Sequence, residues 1–139
     1  MRRNSSTQRS ETLSSLKNKG TYILFLFLDR DCVIEVGKIG KIPFKKGFYL
    51  YVGSAMNGFN VRIKRYIHGG KRKHWHIDYF LEIAHLEAIL LIPSEVRIEE
   101  AVASRLSSMF ENIKGFGSSD TRLPSHLFYA GYPGNIPSK

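Results

Sequence analysis

Cysteine is almost absent from this chain: Cys32 is the only one in 139 residues. A single thiol excludes an internal disulfide and any zinc site built from several cysteines, and in an apolar run it is expected to be a small core residue. Acidic side chains are scarce too, twelve Asp plus Glu against twenty-one Lys plus Arg, leaving a formal charge of +9 and a pI near 9.8. Such a balance favours a polyanionic partner, nucleic acid before an acidic membrane surface, although a basic solvated surface accounts for charge alone equally well. Long apolar runs are also missing. The longest, Tyr22 to Leu28, is far too short to span a bilayer, and no apolar stretch follows the basic N-terminus as in a secretion signal. An intracellular, cytoplasmic protein is expected. No internal repeat interrupts the chain, and its length suits one domain with a core of its own.

What is present centres on Gly47 to Gly70. Phe48, Tyr49, Leu50, Tyr51 and Val52 are β-preferring residues in succession, closed by Gly53. A loop of small residues follows, and a helix is expected from about Asn60, as N-cap, through Ile67 until Gly69-Gly70. On that helix Arg62 and Tyr66 lie four residues apart and share a face. Arg62, Lys64, Arg65, Lys71, Arg72 and Lys73 then form the densest positive patch, with no acid between them and with Tyr66 and Trp75 interleaved. That mixture suits phosphate contact with stacking on bases or sugars.

The remaining chain reads as support. Residues 1–18 are expected to be a disordered basic tail, 19–130 the folded domain and 131–139 a frayed end. Gly20 to Leu28 is a continuous apolar run that predicts a strand covered on both faces, pairing with the aromatic strand and so placing Tyr22 and Tyr51 on neighbouring strands. Val33 to Val36 is expected to return as a hairpin partner of that first strand, with Gly37 to Pro43 as a connection. Ile77 to Ile83 suggests a short helix and His85 to Ile92 a strand. Ser94 is expected to cap a helix running to about Ile113, and His126 to Ala130 to form a last strand. His74, His76 and Asp78 alternate, and with His68 or His126 could ligate Zn²⁺ or Mn²⁺ if their segment were extended. Asp120 and His126 read as a pair that fastens a loop.

Gly20-Thr21-Tyr22, Tyr51-Val52-Gly53, an arginine helix and a later glutamate helix occur in this order. Together with His74-Trp-His-Ile-Asp-Tyr79, Gly117-Ser-Ser-Asp120 and Ser125-His-Leu-Phe-Tyr129, they resemble the small stand-alone, Uri-type branch of the GIY-YIG nuclease superfamily. The resemblance implies an α+β fold with a small central antiparallel or mixed sheet of three to four strands flanked by helices. It also implies metal-dependent hydrolysis of DNA phosphodiester bonds, in repair or recombination, with one Mg²⁺ or Mn²⁺. Tyr22, Tyr51, Arg62 and Tyr66 fall on its catalytic positions, with a tyrosine as general base, and the metal-binding glutamate falls at Glu99 or Glu100.

Helical periodicity separates the two. Glu99 shares a stripe with Ala103, Leu106 and Phe110, whereas Glu100 lies with Ser104, Ser107 and Glu111, so Glu99 is the expected ligand. Some sequence positions depart from the family pattern. Thr21 replaces Ile, Asn112 is the candidate for an asparagine that ends the metal helix in some members, and Ser54 stands where repair nucleases carry Lys. A cationic contact with the phosphate must then come from elsewhere or be absent. Ser54, Lys64, Arg65, Lys71, Arg72, Lys73, His74, Trp75 and His76 make up the expected nucleic-acid surface. A DNA partner, a homodimer or a repair protein follows from the resemblance; a non-catalytic accessory domain is the rival reading, and RNA is compatible with the same patch.

Overall fold

A computed structural model describes residues 18–68, 73, 75–117 and 125–133. In chain order the elements are β1 (Gly20–Leu28), β2 (Cys32–Val36), a 3-10 turn (Gly37–Ile39), β3 (Gly40–Phe44), β4 (Gly47–Ala55), α1 (Phe59–His68), α2 (His76–Phe80), β5 (His85–Pro93), α3 (Glu99–Met109), β6 (Glu111–Asn112) and β7 (Leu127–Gly131). The chain is thus α+β. Its main sheet has five antiparallel strands in the order β5-β1-β4-β7-β6, rather than the three to four expected, and β2-β3 form a separate two-stranded sheet.

The unbroken apolar character of β1 follows from burial on both faces. Tyr22, Leu24, Leu26 and Leu28 join Tyr49, Tyr51, Phe59, Ile77 and Phe80 in one core, under α1, α2 and the β2-β3 hairpin. Ile23, Leu50, Val52 and Phe128 face the other way, onto Ala103 of α3. Each fully buried Leu contributes about 1.5–3 kcal/mol, so this double cover fixes the register of β1 strongly.

Three local expectations are corrected. β2 does not pair with β1, because both edges of β1 are taken along its length by β4 and β5; β2 pairs instead with β3, in the segment expected to be a connection. Ser94 does not cap α3. Its N–H donates to the Lys19 carbonyl at 3.0 Å and its Oγ bonds the backbone of Val96, so the helix begins later, at Glu99. α3 also stops at Met109, since Glu111 and Asn112 turn into the sheet beside β7. Asn60 is the second residue of α1 rather than its cap, as Phe59 already belongs to the helix.

Candidate functional site

β1 and β4 bring the two tyrosine motifs together in register, with Tyr22 directly opposite Gly53. A Cβ at position 53 would lie 2.2 Å from the Tyr22 hydroxyl oxygen and 2.3 Å from its Cζ, so the glycine of the second motif makes the space in which the tyrosine of the first lies across β4. The Tyr22 hydroxyl then meets that of Tyr66, and the two share a hydrogen bond, with ring centroids 5.6 Å apart. Tyr66 reaches this point because Phe59 and Tyr66 are the residues α1 buries, and because the Phe59 N–H is tied to the Asn18 carbonyl at 2.8 Å.

Burial dominates the acidity of these phenols. It pushes Tyr22 and Tyr51 well above the ordinary tyrosine value, helped in Tyr22 by Tyr66 and Tyr51, and in Tyr51 by Tyr66 and by the Glu99 charge. Tyr66 is pushed up to about 12, again by burial. Arg62 pulls all three down, but less than burial raises them.

Glu99 opens α3 and points inward, its side chain 18% exposed, while Glu100 is exposed. The Glu99 Oε2 lies 3.0 Å from Nδ1 of His126, which is 1% exposed, and the same nitrogen is 3.4 Å from the Val52 carbonyl. A ring nitrogen facing a carboxylate and a carbonyl must carry its proton, which fixes the tautomer of His126 and clamps Glu99 to the sheet. Two backbone bonds hold His126 in turn: its N–H donates to the Phe116 carbonyl at 2.8 Å, and its carbonyl accepts the Val52 N–H at 3.0 Å. The other Glu99 oxygen is 3.8 Å from Nη1 of Arg97, and that same guanidinium nitrogen donates to Ser54 Oγ at 3.0 Å. Asn112 stands away from this group, bonded to Ser107 at the end of α3.

A second feature lies beside Tyr66. The Trp75 ring carries the Arg62 guanidinium at 4.1 Å and that of Arg65 at 4.3 Å. Arg65 also donates to Asp78 Oδ2 at 2.5 Å, and Asp78 accepts the Trp75 N–H at 2.9 Å, so the arginines of α1 are anchored on the start of α2. Lys64 is exposed, and Lys73 pairs with Glu82 at 3.2 Å. His76 faces inward: its Nδ1 accepts the Gly117 N–H at 2.7 Å, its ring packs on Phe116, and burial lowers its pKa. Because His76 and Asp78 sit on a helix, the alternation that would put both on one strand face does not arise, and no group of three metal-ligating side chains occurs among the described residues. Lys71, Arg72, His74 and Asp120 lie outside the described residues.

A family model, domain of unknown function DUF123, matches residues 21–137. The chain belongs to this family. The DUF123 match takes in β1 from Thr21 and every element after it, and with them Tyr22, Tyr51, Arg62, Tyr66 and Glu99. No curated protein and no solved structure matches the chain. Among the described residues no helix is long and apolar enough to cross a membrane.

Within this DUF123 domain, sequence reasoning missed the structural parts played by His126 and Arg97. His126 was legible as part of Ser125-His-Leu-Phe-Tyr129, but its partner is Glu99, twenty-seven residues away in the chain, and nothing local announces that. Arg97 carried one local signal, a cation two residues ahead of an acidic helix start.

Proposed function

We propose that this protein is a divalent-metal-dependent endonuclease that hydrolyses DNA phosphodiester bonds, as a GIY-YIG nuclease-like domain acting in repair or recombination. The observation that carries the reading is the convergence of Tyr22, Tyr51, Tyr66 and Arg62 from β1, β4 and α1, with the inward Glu99 of α3 close enough to act on Tyr51. Four separate elements deliver these groups, in the order the sequence resemblance implies.

One half-buried carboxylate fits a hard ion such as Mg²⁺ or Mn²⁺, which accepts a single protein ligand and keeps several waters, and does not fit a closed zinc site. Glu99 would hold the ion through the oxygen that His126 leaves free. When bound, the ion supplies Lewis acidity and an activated water. Arg62 can fork onto a phosphate, which in this structure means leaving the face of Trp75. The tyrosine base implied by the resemblance meets a physical objection: burial makes Tyr22 and Tyr51 weaker acids, not stronger ones. Their role in this reading is to donate hydrogen bonds from neutral hydroxyls, orienting water and phosphoryl oxygens.

The same raised pKa values favour the second reading, a nucleic-acid-binding accessory domain that cleaves weakly or not at all and works beside a repair enzyme or as a dimer. Supercoiled plasmid and branched, bubble and single-stranded oligonucleotides, incubated with Mg²⁺, Mn²⁺ or EDTA, separate the two. The nuclease reading expects metal-dependent nicking that Glu99→Ala and Arg62→Ala both abolish. Salt-sensitive binding without cleavage of any substrate in either metal favours the accessory reading, and activity surviving in Glu99→Ala but lost in Glu100→Ala overturns the ligand assignment alone.

A further inference from the structure

We propose that Arg97 is a phosphate-binding residue of this site, holding a backbone phosphate of the strand whose scissile bond lies at Glu99. The inference rests on the nuclease reading and adds to it a residue from the loop ahead of α3.

Arg97 is placed for this by two contacts and occupied by neither. Nη1 donates to Ser54 Oγ at 3.0 Å, a neutral acceptor, and stands 3.8 Å from Glu99 Oε1, beyond hydrogen-bond reach. The side chain is 65% exposed, so its planar fork is open to solvent while its position is held. A guanidinium has five N–H donors, and these contacts engage one nitrogen.

The backbone places it at the right spot. Ser54 pairs with Thr21 across β4 and β1, each one residue from the Gly53 and Tyr22 pair, so the Ser54 hydroxyl marks the same end of the sheet as the tyrosines. Arg62 influences the tyrosines from α1 and Arg97 borders Glu99 from the α3 loop, so the site has a cation on either flank. An open polar groove of about 690 Å³, lined by Lys19, Asn57, Gly58, Ser94 and Glu95 among others, starts two residues before Arg97 in the chain. It offers room for the strand to continue.

If Arg97 served only to neutralise Glu99, its loss would not alter how DNA affinity depends on salt. Binding of a fluorescein-labelled 20-base-pair duplex, followed by anisotropy in EDTA from low to moderate salt, reads that dependence directly. The expected result for Arg97→Gln is roughly tenfold weaker binding at low salt, as for one lost charge-assisted hydrogen bond. The slope of log affinity against log salt should fall by about 0.9, the value for one phosphate contact on duplex DNA. Arg97→Lys should keep the slope and recover part of the affinity, because it keeps the charge without the fork. Arg30→Gln removes the same charge roughly 25 Å away along β1, at about 3.3 Å per strand residue, and should leave the slope unchanged. An unchanged slope in Arg97→Gln, or an equal fall in Arg30→Gln, overturns the inference while leaving the nuclease reading standing. Wild-type protein that binds no DNA overturns the nuclease reading, and this inference with it.

Discussion

Gly53→Ala should damage this protein through one neighbour, Tyr22. The added Cβ would lie 2.2 Å from the hydroxyl oxygen and 2.3 Å from Cζ, where ordinary contact needs about 3.4 Å or more, so the ring end must move by more than 1 Å. Tyr22 is 3% exposed and its hydroxyl is bonded to Tyr66, so moving the ring end disturbs a buried, hydrogen-bonded group. Overpacking of this kind costs about 1–3 kcal/mol, and losing the buried hydroxyl pair adds about 0.5–1.5 kcal/mol, for a total of about 1.5–4.5 kcal/mol. That is a large part of the roughly 5–15 kcal/mol stability of a domain, yet leaves the variant folded. Urea unfolding followed by far-UV circular dichroism measures it. In a Tyr22→Leu background, which removes the clashing atoms, the same Gly53→Ala change should cost less than about 0.5 kcal/mol or even stabilise, since Ala is preferred to Gly inside a strand. Equal costs in both backgrounds would refute the steric reasoning.

His126→Ala should lower stability by about 1–3 kcal/mol by leaving the Glu99 carboxylate without its buried donor, and should weaken Mn²⁺ binding, read by electron paramagnetic resonance, about 10–100-fold. His126→Asn, whose amide can reproduce the Nδ1 donor, should restore part of both; equal Mn²⁺ affinity in all three proteins would sink the positioning role. The buried phenols predict a pH dependence with a definite sign. Their folded pKa values lie above the unfolded value near 10, so the neutral form is favoured by folding, and the stability this gives is complete below about pH 10 and is lost as pH rises through the folded values, about 12 for Tyr66. Absorbance at 295 nm should show Tyr22, Tyr49, Tyr51 and Tyr66 failing to ionise near pH 10 in the folded protein. All seven tyrosines titrating together near pH 10 in the folded protein would contradict the burial argument.

Legibility in the sequence followed the range of the interaction responsible. β1 is readable to the residue, because an apolar run covered on both faces leaves no alternation to misread. That Tyr22 and Tyr51 lie on neighbouring strands follows from pairing the two most β-prone segments. The inward turn of Glu99 follows from the helical stripe it shares with Ala103. The β2-β3 hairpin was obscured by competition: β1 is a better partner on local grounds, and Pro43 argues against a strand at β3, but β1 has only two edges and both go to distant segments. The start of α3 was obscured in the same way, when the Ser94 backbone bonded to Lys19 instead of opening a helix.

The chain's own chemistry therefore settled which residue types could meet: two tyrosine strands, an arginine helix, a glutamate on an apolar helical stripe, and a positive surface. These are properties of neighbours within a few positions, carried by strand and helix periodicity. Packing across long separations decided the rest. The space above Gly53 is filled by a ring from another strand, Glu99 is clamped by a histidine from the last strand's approach, and Ser54 is given its cation by a loop that begins forty residues later. Each of those contacts depends on the sheet order, and the sheet order is a property of the whole chain's burial, which no local segment records.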